Sequence, residues 1–187
     1  MPPCVAVGRY EGALRGALLA YKERGRHRLA VPLGSLLATA VARLAPRDVP
    51  VLLVPVPSTA AAARERNGDH MVRLATQAVR RLRVAGWDAD VIRLLQALPR
   101  PDSAALTAAE RVTFAESSLR IRKHRTGFHH HGASRKGTLV VVDDIVTTGA
   151  TLAAVTGRLR EAKMQVAGAA VLAATQLRRS SRAGFAG

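Results

Sequence analysis

The first apolar pattern along the chain has a helical period. Leu14, Leu18 and Leu19 are followed by Leu29, Leu33, Leu36, Leu37 and Leu44, with Gly25 between the two runs, which predicts two opening amphipathic helices. From Val49 to Val56 the chain is almost continuously apolar, with Pro50 inside and Pro55 and Pro57 at its end, as expected of a buried strand running into a loop. Helical spacing returns from Asp69 to Leu82, where Met71, Leu74, Ala75, Ala78, Val79 and Leu82 share a face, and Val91 to Leu95 predicts a short strand. Pro99 and Pro101 keep Gln96 to Ala104 out of regular structure, while Thr107 to Phe114, with Glu110 three residues after Thr107, has the spacing of a short capped helix. Thr138 to Val142 predicts a strand, Gly149 to Ala162 a helix and Val166 to Leu172 a final strand. This alternation of strand and helix predicts an α/β fold with a doubly wound, mostly parallel sheet.

With 187 residues, 48% of them hydrophobic, the chain can bury one core, so a single domain spanning 1–187 is expected. Aromatics make up only 3%, which leaves Ala, Leu and Val to build that core. The 29 Lys and Arg against 13 Asp and Glu give a formal charge of +16, so a polyanion, such as single-stranded DNA, is one expected neighbour and a simply solvated basic surface the other. Much of this charge falls in a loop of about 96–136, expected to be mobile, which carries His129, His130 and His131, and in a basic tail over 178–187. The three adjacent histidines point in different directions on an extended chain, so a metal site there is not expected. Cys4, the only cysteine, can form neither an internal disulfide nor a zinc site within this chain. With neither a signal peptide nor a run of ~20 apolar residues in view, a cytoplasmic protein without a membrane span is expected.

The chemistry concentrates in VVVDDIVTTGAT, Val140 to Thr151. Two adjacent carboxylates at the end of a buried strand must reach solvent, a cation or hydroxyl donors, because desolvated like charges repel. Asp143 and Asp144 are therefore expected at the strand's mouth, where open α/β sheets bind ligands. Thr147, Thr148, Gly149, Ala150 and Thr151 then supply small or hydroxyl-bearing residues at a helix start, a cradle for a phosphate. Carboxylates for sugar hydroxyls beside a phosphate cradle describe a ribose 5-phosphate. No Lys lies between Val140 and Thr151, as a Walker loop would need, and the Gly-x-Gly-x-x-Gly of a dinucleotide fold is missing from this segment.

That segment resembles the phosphoribosyl pyrophosphate (PRPP) signature of type I phosphoribosyltransferases. The wider layout, with Tyr10, Lys22, the Val54 to Pro57 strand end and the late acidic motif, resembles the ComF family of competence-associated proteins over Tyr10 to Thr175. The resemblance implies a type I phosphoribosyltransferase-like fold with a small hood, formed here by helices over about 10–45. Asp143 and Asp144 would hold the ribose hydroxyls, Thr147 to Thr151 the 5-phosphate, and Ser58, Arg64 and Arg66 the pyrophosphate. Lys22 and Arg111 would be catalytic cations, Mg²⁺ would accompany PRPP, and the acceptor would be a nucleobase or amine. Where relatives carry Arg-Gly-Phe-Asn-Gln, this chain has Arg66, Asn67, Gly68, Asp69 and His70. Compared with His129 to His131, His70 is the better candidate for a functional histidine, with a surface helix position the alternative reading. A PRPP-sensing regulator without catalysis, a competence factor acting on DNA or on the competence machinery, and a homodimer stay open beside the transferase.

Overall fold

The computed structural model describes residues 2–66, 68–98, 119–122 and 137–175. The chain opens with a strand, β1 (Cys4–Arg9), then α1 (Gly12–Glu23), a 3-10 turn (His27–Leu29) and α2 (Ala30–Ala42). It continues through β2 (Val51–Pro55), α3 (Ala60–Glu65), α4 (His70–Val84), β3 (Ala89–Val91) and β4 (Leu95–Ala97). The last elements are β5 (Leu119–Ile121), β6 (Thr138–Val146), α5 (Ala150–Glu161) and β7 (Val166–Ala174). Five strands form a wholly parallel sheet in the order β1-β7-β6-β2-β3, and β4 and β5 pair antiparallel outside it.

A parallel sheet needs both faces covered, and alternate residues of the central strands feed two cores. Val51 and Leu53 of β2, Val140 and Val142 of β6 and Leu172 of β7 pack with α1, α2 and α4. Val54, Val141, Ala169 and Val171 pack on the other side with Leu152, Val155 and Leu159 of α5, where Leu94, Leu95 and Leu119 of the β4–β5 ribbon join them. The helical face read for residues 69–82 is the buried face of α4. Asp69 caps that helix, accepting from the N–H groups of Met71 and Val72 at 3.1 and 3.2 Å. Helices α2 and α4 touch most closely at Gly34, where an added Cβ would lie 3.0 Å from the Leu74 carbonyl oxygen and against Gln77.

Three sequence expectations change. Strand β1 carried no clear alternation, yet it pairs with β7 along the sheet edge. The helices of about 10–45 do not form a hood together, because α2 buries seven of its residues against the sheet and α4. Only α1 lies at the carboxyl edge: Tyr10, just before it, donates its N–H to the Ala174 carbonyl at 2.9 Å, and Lys22 in its last turn reaches Asp144. Residues 91–95 are not one strand. The chain leaves the main sheet once the Ile92 N–H has bonded the Leu53 carbonyl, and Leu95 to Ala97 then pair with Leu119 to Ile121, so residues 96, 97, 120 and 121 of the expected loop are strand. The rest of that loop, the Thr107 to Phe114 helix, Arg111, the three histidines and the basic tail lie outside the described residues.

Candidate functional site

The sheet order fixes where a ligand crevice opens. From β2 the chain passes through α4 to β3 on one side, whereas β6 passes through α5 to β7 on the other, so the winding direction reverses between β2 and β6. Such a switch point leaves a gap outside the carboxyl ends of the strands. The gap is deepened by unequal strand lengths. Strand β2 pairs with β6 only as far as Pro55 opposite Val142, and β6 runs on through Val146, paired with β7 alone. Asp143 and Asp144 are therefore not beyond the end of their strand, as the sequence suggested, but within it, at the first two positions β2 no longer covers.

The two carboxylates meet different surroundings. Asp143 lines a pocket with Thr147, Thr148, Gly149, Ala150 and Thr151, so the structure brings the predicted cradle together around it. Gly149 is buried, with φ +78°, a left-handed conformation that side chains resist, and it turns the chain from β6 into α5. Gly149, at the N-cap, has no side chain with which to cap α5, and the Ala150 N–H reaches only the Thr148 hydroxyl, at 3.4 Å. The first turn of α5 thus offers N–H donors and the positive end of its dipole to the pocket. Burial and the neighbouring Asp144 charge push the Asp143 carboxyl well above the usual range, although the Asp144 N–H donates to it at 2.9 Å.

Asp144 is 5% exposed and faces α1 and α4. Its Oδ2 lies 2.6 Å from Lys22 Nζ and 3.3 Å from His70 Nε2, close ion-pair contacts outside directed hydrogen-bond geometry for that oxygen. Burial works against its ionisation, but the contact with His70 and the charge of Lys22 outweigh it, and the carboxyl titrates below the usual range. His70 is itself buried, with Nδ1 3.2 Å from the Ser58 hydroxyl and its backbone carbonyl accepting from Tyr21 at 2.8 Å. The surface position considered for His70 is wrong. It lies four residues before Leu74 and eight before Ala78, on the same inward face, and that spacing was the available signal.

Ser58 sits in the loop after β2, on the opposite wall of the crevice from Asp143. It borders a cleft shared with Asp69, Arg93 of the β3–β4 link and Arg122 at the end of β5. The sequence reading named neither Arg93 nor Arg122, because they come together only through the small antiparallel ribbon. Arg64 is exposed on α3, whose N-terminus Thr59 caps by accepting from the Ala62 N–H at 3.2 Å, and Arg66 follows the helix. Of the predicted residues, the structure therefore gathers Asp143 and Thr147 to Thr151 in one pocket, joins Lys22, Asp144, His70 and Ser58 in one chain of contacts, and leaves Arg64 on α3 and Arg66 just after it, beyond the loop.

Among the described residues no helix is long and apolar enough to cross a membrane. No curated protein matches the chain. The family described as the phosphoribosyl transferase domain matches residues 34–183, from the first half of α2 past β7, so β1 and α1 with Lys22 lie outside the matched span. A match over most of the chain, on a parallel sheet whose switch point holds an acidic strand end beside a helix-start cradle, places this protein in the phosphoribosyl transferase domain family.

Proposed function

We propose that the protein binds PRPP in the crevice between β2 and β6 and transfers its phosphoribosyl group to a nitrogen nucleophile, a nucleobase or an amine, with release of pyrophosphate. The observation that carries this reading is the pocket in which Asp143 adjoins the Gly149 turn and the uncapped start of α5. The α5 donors hold the 5-phosphate, and Asp143 accepts from a ribose hydroxyl a few ångströms away. Its raised carboxyl fits this role, because hydroxyl donors and the cationic sugar of the transition state both favour the ionised form. Asp144 contributes negative charge to the same region from a position fixed by Lys22 and His70.

The diphosphate leaves towards the Ser58 loop, where Arg93 and Arg122 supply positive charge as the leaving group gains negative charge. Arg64 and Arg66 come next along the chain, on and just after α3, and do not line that cleft. Mg²⁺, a hard cation that keeps most of its waters, is carried by the diphosphate rather than assigned to a protein side chain. Holding C1 of the sugar between the cradle and the Ser58 loop turns attack by the acceptor into an intramolecular problem of orientation. The test is incubation with PRPP, Mg²⁺ and a panel of nucleobases and amines while pyrophosphate is measured. Release with one acceptor identifies reaction and substrate together. Absence of PRPP binding by calorimetry would remove the proposal.

One observation favours a second reading, a PRPP-sensing protein without turnover. Asp144 is already engaged by Lys22 and His70, so the sugar site is balanced internally before a ligand arrives. Saturable PRPP binding with no pyrophosphate release across the panel would select it. A role in competence rests on the ComF resemblance, and contact with single-stranded DNA on the charge of +16. Binding that weakens steeply with salt is the expected signature, and a flat salt response would exclude it.

A further inference from the structure

We infer that His70 is a positioning residue that sets the direction of the Ser58 hydrogen bond, so that a phosphate-bearing ligand arriving at the Ser58 loop draws one proton into the protein. The inference rests on the reading of that loop as the leaving-group contact.

The geometry leaves few hydrogen-bond arrangements. His70 is 7% exposed, with Nε2 3.3 Å from Asp144 Oδ2 and Nδ1 3.2 Å from Ser58 Oγ. An ionised carboxylate oxygen 3.3 Å from Nε2 would repel a ring lone pair whether or not a directed hydrogen bond forms, so Nε2 carries the hydrogen. In the neutral ring Nδ1 is then a lone pair, and Ser58 donates to it. A hydroxyl has a single proton, so Ser58 then faces the crevice with lone pairs alone. A phosphate oxygen also presents lone pairs, and the two repel. Protonation of the ring reverses the contact. Nδ1 donates to Ser58 Oγ, and the Ser58 proton turns outward to the phosphate. The balance is one proton taken from solvent onto Nδ1, with the Ser58 proton kept on its own oxygen and no covalent bond broken.

The groups facing this ring come from three elements and one loop. From α1, the Tyr21 hydroxyl is committed to the His70 carbonyl, and Lys22 lies 2.6 Å from the same Asp144 oxygen, so its charge opposes a second cation there. From β6, Asp144 favours the imidazolium directly, with Oδ2 3.3 Å from Nε2. From α4, Asp69 is occupied as the helix cap, while Arg73 lies one turn on and contacts His27 Nδ1 at 2.9 Å. The Ser58 loop itself brings no charge, but Arg93, which pairs with Asp69 at 3.7 Å, and Arg122 border the same cleft and oppose a further cation until an anion sits between them. With Lys22 and Asp144 offsetting one another, the incoming anion is the charge that changes, and it favours protonation.

The relatives' motif places Gln where this chain has His70, and Gln makes a discriminating variant: its amide can contact both Asp144 and Ser58 but cannot take up a proton. The experiment is calorimetry of PRPP with Mg²⁺, and separately of inorganic pyrophosphate, in buffers of different ionisation enthalpy at a series of pH values. Wild type is expected to take up close to one proton more per ligand than His70→Gln, which also cancels protonation of the ligand itself. Equal net uptake in the two proteins across that series overturns the inference while leaving the PRPP site standing, and the comparison also cancels any proton that Asp143 loses when a ribose-bearing ligand binds. No wild-type binding overturns both. Nitrogen-15 histidine spectra of the wild type need no variant: pyrophosphate should convert one ring from the neutral to the doubly protonated pattern, and unchanged spectra in a saturated complex overturn the inference.

Discussion

Lys22→Met tests the buried end of the acidic pair. The substitution keeps most of the side-chain stem and removes the cation 2.6 Å from Asp144 Oδ2. Breaking a buried ion pair by deleting one partner costs roughly 3–5 kcal/mol, because the remaining charge is left uncompensated. Two features reduce that figure: the Lys22 side chain is 23% exposed, and His70 stays 3.3 Å from the same oxygen. A loss of about 2–3 kcal/mol is expected, and at about 2–4 °C per kcal/mol for a domain of this size, Tm should fall by about 4–12 °C. The pH dependence supplies the sharper criterion. The Asp144 carboxyl titrates below its ordinary range in the folded protein, so its stabilising contribution is complete above about pH 4 and is lost as pH falls from there towards the depressed value. The deficit of Lys22→Met should accordingly be full at neutral pH and shrink in acid. Circular-dichroism melts of the wild type, Lys22→Met, Asp144→Asn and the double variant form the cycle. Removing both charges should recover most of the loss, because no unpaired carboxylate remains. A single variant within about 1 °C of wild type, or a deficit that does not change with pH, would refute the buried-pair argument.

Asp143 should behave in the opposite sense. Its carboxyl titrates above the ordinary range, so the folded protein binds more protons than the unfolded chain from about pH 4 upward, and wild-type stability should decline through that window. Asp143→Asn removes the decline and should raise Tm at pH 8 while lowering PRPP affinity at least tenfold; a variant less stable than wild type at pH 8 would contradict the assignment. Gly149→Val places a β-branched residue at φ +78° and should cost about 1–3 kcal/mol and most of the phosphate affinity, as chemical denaturation and calorimetry would read. Gly34→Ala should lower stability by about 1–3 kcal/mol through the Leu74 carbonyl and Gln77 contacts, with PRPP affinity unchanged, because it disturbs only the α2–α4 contact.

The cradle was legible because its chemistry is local. Two acids, a glycine and a helix start within one short segment need only the β6–α5 turn to meet, and they do. The inward face of α4 was legible for the same reason, through its period. The site's other half depends on pairings that spacing does not encode. Lys22 meets Asp144 from a helix at the far end of the chain, and Ser58 meets His70 because a loop and a helix start converge at the sheet edge. His70 was named from the sequence, and only its surface alternative could have been set aside, since its register with Leu74 and Ala78 marks it as inward. The ribbon that carries Arg93 and Arg122 had no comparable signal: its two three-residue strands are too short for alternation to register.

The edge strand carries a consequence for how the molecule is made. Cys4 pairs with Ala169 and Arg9 with Ala174, so among the described strands β1 has no neighbour until β7, the last of them in chain order, is made. Contacts this distant in sequence are the slow ones to form, since closing the intervening chain precedes any reward. Helix α1 hangs from that same edge through the Tyr10 to Ala174 bond, and it carries Lys22. The lysine that balances Asp144 is therefore held in place through β7, the same strand that alone pairs the end of β6 from which the cradle starts, so both halves of the site depend on that one strand.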